Sequence, residues 1–494
     1  MDLTSHPLVV RARRLATDLL IPEAERVDQE WVPAGHVEAV KRSGLLGVAA
    51  PAEYGGAGAP PAVLRETAEI LAGACCATWF VQTQHHTPVQ TLAHSGLPVR
   101  ERLLGPLSRG ELLSGVAYAH LRSYPRRPVR VRREGTGWRF DGTVPWYTGW
   151  GLNDVMLLAG VTDSDEVLFA FTEAREQPGL RASPPMRLAA LTAARTVSLE
   201  LDGLWLPAEA VALHTPYVRW AAGDRVKTLT TSPAVFGVAE AALSLLDDET
   251  ATPLRSRLAG LRERAYALAD APVPEAWGEE RGTVRAEEAG HGPTVRDEGA
   301  GEGAAVRGEG AGEGLAEGER AGGGRAVRGL RGGEEVGGRG GRTGERAGER
   351  AGVGRRGGEQ APEADYRGGE PAATPDHRAG PRPTVTDHRA GARPTEPDHR
   401  AGARPPGWDD WAEERLAVRA EAYEVLRAAT TAAVVAGGGR AMALTSRAQR
   451  LAREGLFLLV QGQTAESRAA HLRALSGAPA ATGERDRADE RDRT

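Results

Sequence analysis

Between Pro272 and Gly407 the chain almost stops using large apolar residues, and this break constrains its fold more than any other feature. The stretch is built from Gly, Glu, Arg, Ala and Pro. Such a segment buries too little apolar surface to offset the entropy of ordering it. Short units recur inside it. Gly318-Glu-Arg-Ala-Gly322 returns at residues 344–348, and Asp376-His-Arg-Ala-Gly380 returns from Asp387 and from Asp398, eleven residues per step. Asp365-Tyr-Arg-Gly-Gly369 is a decayed copy in the same register. A solenoid needs an apolar face on every repeat, and these units have none; their prolines also interrupt any helix. The sequence therefore predicts a disordered insert over residues 272–407. His377, His388 and His399 read as solvated linker residues rather than metal ligands. Residues 479–494 read as a second disordered, charged tail.

The ordered core must come from what precedes and follows the insert. The whole chain of 494 residues is 40% hydrophobic, with net charge -5. No compact region is strongly basic, which argues against a nucleic-acid partner. Nothing approaches the roughly 18 apolar residues of a membrane span. The first thirty residues carry charges throughout, unlike a secretory signal. The cytoplasm is the expected location. The only cysteines, Cys75 and Cys76, are adjacent in an apolar run and read as small buried residues of a reducing compartment.

Apolar spacing divides the remainder. Pro7 to Leu20 and Val37 to Leu46 repeat at helical period, the second stopped by Gly47. Pro51 to Gly58 is a glycine-rich turn. Further helices are predicted over Pro60–Leu71, Cys75–Ala93 and Leu97–Leu107. From Glu111 to about Leu213 the pattern becomes short runs such as Val155-Met-Leu-Leu-Ala and Val167-Leu-Phe-Ala-Phe, which read as strands of a barrel or sandwich. Helices return at Thr231–Leu246, with Ser232 as N-cap and Pro233 at the first helical position. Others follow at Arg255–Ala269, Trp408–Ala436 and Leu444–Leu475. The predicted class is α+β. It has an N-terminal helical domain (1–110), a central β-domain (111–214) and a C-terminal helical bundle (215–271 and 408–478) interrupted by the insert.

Particular segments resemble the acyl-CoA dehydrogenase family. Gly44-Leu-Leu-Gly-Val-Ala-Ala-Pro-Ala-Glu-Tyr-Gly-Gly-Ala-Gly58 is similar to that family's "GLLG…P.EYGG.G" segment. Leu103 to Leu112 resembles its approach to the β-domain, and Asp141-Gly-Thr-Val-Pro-Trp-Tyr-Thr148 its "NG.K.WIT" hairpin. Leu204 to Ala210 resembles its "V.VPAE" exit, Gly437-Gly-Gly439 its Gly-Gly turn, and Arg450 to Glu454 its "R..RD" helix start. Each motif alone is weak; their shared order covers nearly everything outside the insert and tail.

The resemblance implies a flavin, FAD with FMN as the alternative. It places Trp146 and Thr148 against the flat ring, two apart on a strand and so expected on one face. It places Tyr118 at the ring's polar edge, Gly437 and Gly438 near the cofactor from a partner subunit, and Thr464 after the usual catalytic glutamate. His120 is either a flavin neighbour or a surface residue. The family's reaction removes the α-proton of an acyl thioester while hydride leaves the β-carbon, which requires a positioned carboxylate. The two positions that carry this base in the family correspond to Gly462 and Lys227, neither an acid; Asp224 is the nearby candidate. Three functions stay open: an acyl-CoA dehydrogenase-like oxidoreductase with a relocated base, a flavin monooxygenase of the same fold, and a non-catalytic flavin-binding subunit. The implied partners are an acyl thioester, an electron acceptor or flavin reductase, and further copies of the chain in a homodimer or homotetramer.

Overall fold

The computed structural model describes residues 3–272 and 408–477. The expected disordered insert and tail fall, but for Pro272, outside the described residues, as do His377, His388 and His399.

The chain opens with helix α1 (Pro7–Leu15), which runs through a π-helical turn (Ala16–Leu20) into α2 (Ile21–Gln29). The helical path therefore extends nine residues past the predicted end at Leu20, because Ala24 and Val27 continue the buried stripe of Leu8, Ala12, Ala16 and Leu20. Helix α3 (Ala34–Ser43) stops at Gly44, at φ 75°, and not at Gly47. Gly47 matters for packing instead, since a Cβ there would lie 2.1 Å from the Ser108 carbonyl oxygen. It lets the glycine-rich turn press against α7 (Val99–Ser108). Between these lie α4 (Pro61–Ala74), α5 (Cys76–Thr83) and α6 (His86–Ala93). The predicted single helix over Cys75–Ala93 is thus two, broken at Gln84 and His85. His85 is fully buried; its Nε2 donates to the Leu107 carbonyl (3.1 Å), and Nδ1 accepts from the Ser114 amide (3.1 Å). Burial pushes its pKa down to about 3, so the ring is neutral.

The described strands form one mixed sheet in the order β6-β7-β3-β2-β4-β5-β8. They are β2 (Val129–Glu134), β3 (Gly137–Tyr147), β4 (Val155–Val161), β5 (Glu166–Glu173), β6 (Leu180–Ala182), β7 (Val197–Pro207) and β8 (Val211–Pro216). β1 (Ser114–Ala117) pairs in parallel with β4. The expected barrel or sandwich takes the form of this single sheet. It curls, since Leu180 of β6 and Leu168 of β5 share one core with Phe140, Met156 and Leu199. The opposite faces of β4 and β5, through Leu157, Ala159 and Phe169, pack on Leu92 and Leu104 of α6 and α7. Burial on both faces explains why these two strands read as continuous apolar runs.

The chain then returns to helix in α8 (Tyr217–Leu229), α9 (Pro233–Leu243) and α10 (Asp248–Asp270). After the insert come α11 (Trp408–Gly437), α12 (Arg447–Val460) and α13 (Ala465–Ser476). Ser232 occupies the N-cap position of α9 but makes no side-chain cap bond. α10 starts seven residues before the expected Arg255, because Asp247 caps it through the Thr250 amide (2.8 Å). Gly462 and Gln463 split the expected Leu444–Leu475 helix into α12 and α13. α9 is apolar on nearly every face and lies between α4 and α11. Cys75 and Cys76 are buried free thiols. Among the described residues no helix is long and apolar enough to cross a membrane.

Candidate functional site

Helices α6 and α8 and the sheet surround a cavity of about 580 Å³, within the range of small-molecule sites. α6 and its end present Thr87, Gln90, Thr91 and His94, which a 3.6-residue period puts on one face. α8 presents Arg219, Trp220, Gly223, Asp224, Val226 and Lys227 by the same geometry. The sheet supplies Phe169, Leu213 and Thr215, and Tyr118 follows β1 into the space. The Tyr118 ring meets Phe169 edge-on (5.6 Å between centroids) and Trp220 likewise (6.4 Å). Burial raises its phenol pKa, so the hydroxyl stays protonated as a hydrogen-bond donor.

Asp224 is the single carboxylate among the lining residues, and it is 9% exposed. Arg122 holds it from the 3-10 turn after β1: Nε donates to Oδ2 (2.7 Å) and Nη2 to Oδ1 (2.8 Å). One residue along, Arg225 grips Glu466 in the first turn of α13 with two hydrogen bonds, the one from Nε at 2.9 Å. The cavity wall is thereby tied to the α12–α13 turn.

Other candidate residues sit around this frame. Trp146 and Thr148 do not line the cavity. Both lie at the end of β3, whose Tyr147 packs against Gly115 of β1; Tyr118 is three residues farther on, roughly 10 Å at strand rise. The two residues do not share an environment: Trp146 is 53% exposed and Thr148 only 7%. The register shifts between Val144 and Tyr147, where β3 carries one residue more than β7, and this breaks the alternation behind the same-face expectation. The Thr148 hydroxyl meets that of Thr196 (3.3 Å). Gly437 ends α11 and Gly438 opens the 3-10 turn after it, whereas Thr464 follows α12. The 14-residue α12, about 21 Å long, lies between them in the chain. Thr464 caps α13 in a reciprocal pair with Ser467. Gly462 sits in the preceding turn at φ 61°. His120 is a core residue, not a surface one: Nε2 donates to the Ala159 carbonyl (3.0 Å), and burial lowers its pKa to about 4.

Sequence reasoning passed over Arg122, Arg219 and Trp220. Arg219, Gly223 and Lys227 were visible at four-residue steps, but the helix that aligns them was not predicted. Arg122 gave no signal, because its partner is 102 residues away.

Residues 6–111 match the family model described as acyl-CoA dehydrogenase, N-terminal domain. The solved structure of butyryl-CoA dehydrogenase from Megasphaera elsdenii superposes over 96% of this chain and 98% of that one, with TM-score 0.59 at 12% identity. The chain has the acyl-CoA dehydrogenase fold. The resemblance read from the motifs and the fold agree. A glutaryl-CoA dehydrogenase from Mycobacterium smegmatis, solved in complex with FADH2, shares it at TM-score 0.56 and 15% identity, over 98% of this chain and 97% of that one. So does the dibenzothiophene monooxygenase of Paenibacillus sp. A11-2, at TM-score 0.57 and 13% identity over 96% and 98%. In sequence, the chain is 28% identical over 151 residues to the 3-sulfinopropanoyl-CoA desulfinase of Paraburkholderia xenovorans (strain LB400). That match spans 29% of this chain and 38% of the desulfinase. One fold thus carries a dehydrogenase, a monooxygenase and a desulfinase.

Proposed function

We propose that the chain is a flavin-dependent oxidoreductase acting on the CH–CH group of an acyl thioester, with FAD as its flavin and FMN as the alternative. The cavity between α6, the sheet and α8 carries this reading, because Tyr118, the residue after β1, lines it and its wall holds a carboxylate. The β3 end fits a flat ring: Trp146 offers an exposed indole face, with the Thr148 hydroxyl two residues on. When bound, the flavin supplies the hydride acceptor for the β-carbon. Tyr118 donates a hydrogen bond at the sheet side of the cavity. Asp224 is the group placed to take the α-proton, though both of its carboxylate oxygens are already engaged by the Arg122 fork. That fork, together with glycine at position 462, favours a second reading, a flavin monooxygenase that needs no such base.

We further propose that the working form is a homodimer or homotetramer. Val435, Met442, Leu456 and Val460, between the end of α11 and the end of α12, are each more than 60% exposed, apolar side chains that a second copy would cover. An electron acceptor protein or a flavin reductase completes the expected set of partners.

The visible spectrum of the purified protein, before and after a panel of acyl thioesters, tests the function. Bleaching by a thioester, lost in Asp224→Asn, supports the first reading. Oxygen consumption only with added reduced flavin supports the second. A protein that takes up no flavin in either redox state sinks both.

A further inference from the structure

Helix α8 walls the cavity, yet little apolar packing holds it there. Leu229, at its last position, is the one apolar side chain of α8 that is buried. A surface helix normally buries an apolar stripe, and segments with little buried apolar area open at lower cost than the core. The contacts that do hold α8 fall into two groups. At its end, Leu229 and Val226 pack with Ala412, Trp411 and Leu416 of α11. There Arg419 of α11 donates from Nη1 to the Thr230 carbonyl (2.9 Å), and Arg225 grips Glu466 of α13. This group roots α8 in the C-terminal helices. At its start the contacts lead elsewhere. Tyr217 stacks on Tyr124 (4.0 Å between centroids) and donates its hydroxyl to the Leu121 carbonyl (3.0 Å). Arg122, between those two residues in the chain, forks onto Asp224. The Tyr217 amide donates to the Asp165 carbonyl (2.8 Å) between β4 and β5. The adjacent Asp224 and Arg225 thus tie α8 to different neighbours.

We infer that α8 is a hinged wall, pivoting at its rooted end near Thr230, with Leu121, Arg122 and Tyr124 as the latch that holds its free end against the sheet. Thr230 leaves the helix in an extended conformation (φ -76°, ψ 138°), which gives the pivot a non-helical joint. Water replaces the hydrogen bonds of the latch once it parts, so release costs less than exposing an apolar core. A 13-residue helix is about 20 Å long, so a turn of roughly 15° at the root carries the free end about 5 Å. Trp220 rides with that end and leaves its edge-on contact with Tyr118, which widens the cavity on the sheet side. The motion belongs to the wall alone, whichever ligand the cavity takes.

Spin labels read the motion in the full chain, on cysteines introduced by Val218→Cys, Thr136→Cys and Ser256→Cys. All three positions are exposed, whereas the native Cys75 and Cys76 are buried. Labelled chains are diluted into unlabelled protein, so that pulsed dipolar spectroscopy reports distances within one chain. The 218–136 pair spans α8 and the turn between β2 and β3; the 136–256 pair leaves α8 out. The parent should give one main 218–136 distance. Arg122→Gln leaves the Asp224 carboxylate unpaired in the closed position and favours the open one, where water reaches it. The 218–136 distance should then shift by up to about 5 Å, or gain a second population at that offset, while 136–256 stays as in the parent. Arg122→Lys keeps the charge and loses the fork, so it should shift the same pair by less, and it carries the test if Arg122→Gln does not fold. A 218–136 distance unchanged in both variants overturns the proposal. So does an equal change in 136–256, which would mean a loosened fold rather than a moving helix.

Discussion

The glycine-rich turn near the N-terminus and the C-terminal helices are both marked by glycines, yet for opposite reasons. At Gly47, just before the turn, and at Gly56 within it, glycine is required by contact. A Cβ on Gly47 would sit 2.1 Å from the Ser108 carbonyl oxygen, and one on Gly56 would sit 2.3 Å from that of Ala50. At Gly438, Gly439 and Gly462 an added Cβ meets nothing within 4 Å. The first region is locked backbone against backbone. The second is held by side chains: Arg450 bonds Glu454 (2.8 and 2.9 Å) and Glu25 (3.3 Å), Arg453 pairs with Asp28, and Arg225 with Glu466. Backbone contacts tolerate one residue type, and they leave a readable motif. Side-chain anchors can be exchanged for others of equal effect, and they leave little.

This contrast can be broken at several points. The largest effect is expected for Glu454→Leu. It leaves Arg450, 1% exposed, with only the longer bond to Glu25. Breaking one side of a buried pair costs about 3–5 kcal/mol, read by denaturant unfolding. A loss below about 1 kcal/mol would show that ion pairs do not anchor the C-terminal helices.

Next is acid stability. His85 is neutral in the fold, with a pKa of about 3 against an ordinary value of 6.5. Its contribution is complete above the unfolded value and is lost as pH falls from there toward about 3. A shift of this size is worth on the order of several kcal/mol. Glutamine can accept from Ser114 and donate to Leu107 without titrating. His85→Gln should therefore flatten the melting-temperature profile between about pH 6 and 4; an unchanged acid limb would assign that loss to other groups.

Gly56→Ala should cost about 1–3 kcal/mol by overpacking, seen as a lowered melting temperature. Gly438→Ala should cost only about 1 kcal/mol, the penalty of a left-handed φ of 57° with open space around it. Equal losses at the two positions would erase the distinction between contact-required and conformational glycines.

The candidate site was legible unevenly, for the same reason. Trp146 and Thr148 came from a local hairpin motif, and Tyr118 from its place after a strand. The cavity that Tyr118 lines was not visible in the sequence. It is built from four stretches of the chain, around residues 87–97, 118, 169 and 212–227, and its Arg122–Asp224 fork joins residues 102 positions apart. His120 could not be placed on either side of the surface until Ala159 was seen beside it. The π-turn that joins α1 to α2, and the break at His85 that splits α5 from α6, were invisible because the apolar period runs through both.

By itself the sequence determined the alternation of helix, strand and helix, the extent of the low-apolar insert and the glycine-locked turn, because period, composition and backbone permissiveness are local properties. Tertiary structure alone decided that the strands curl into one sheet and that α8 faces α6 across a cavity walled by Asp224. Those relations depend on which distant surfaces bury each other, and no single stretch of chain encodes that pairing.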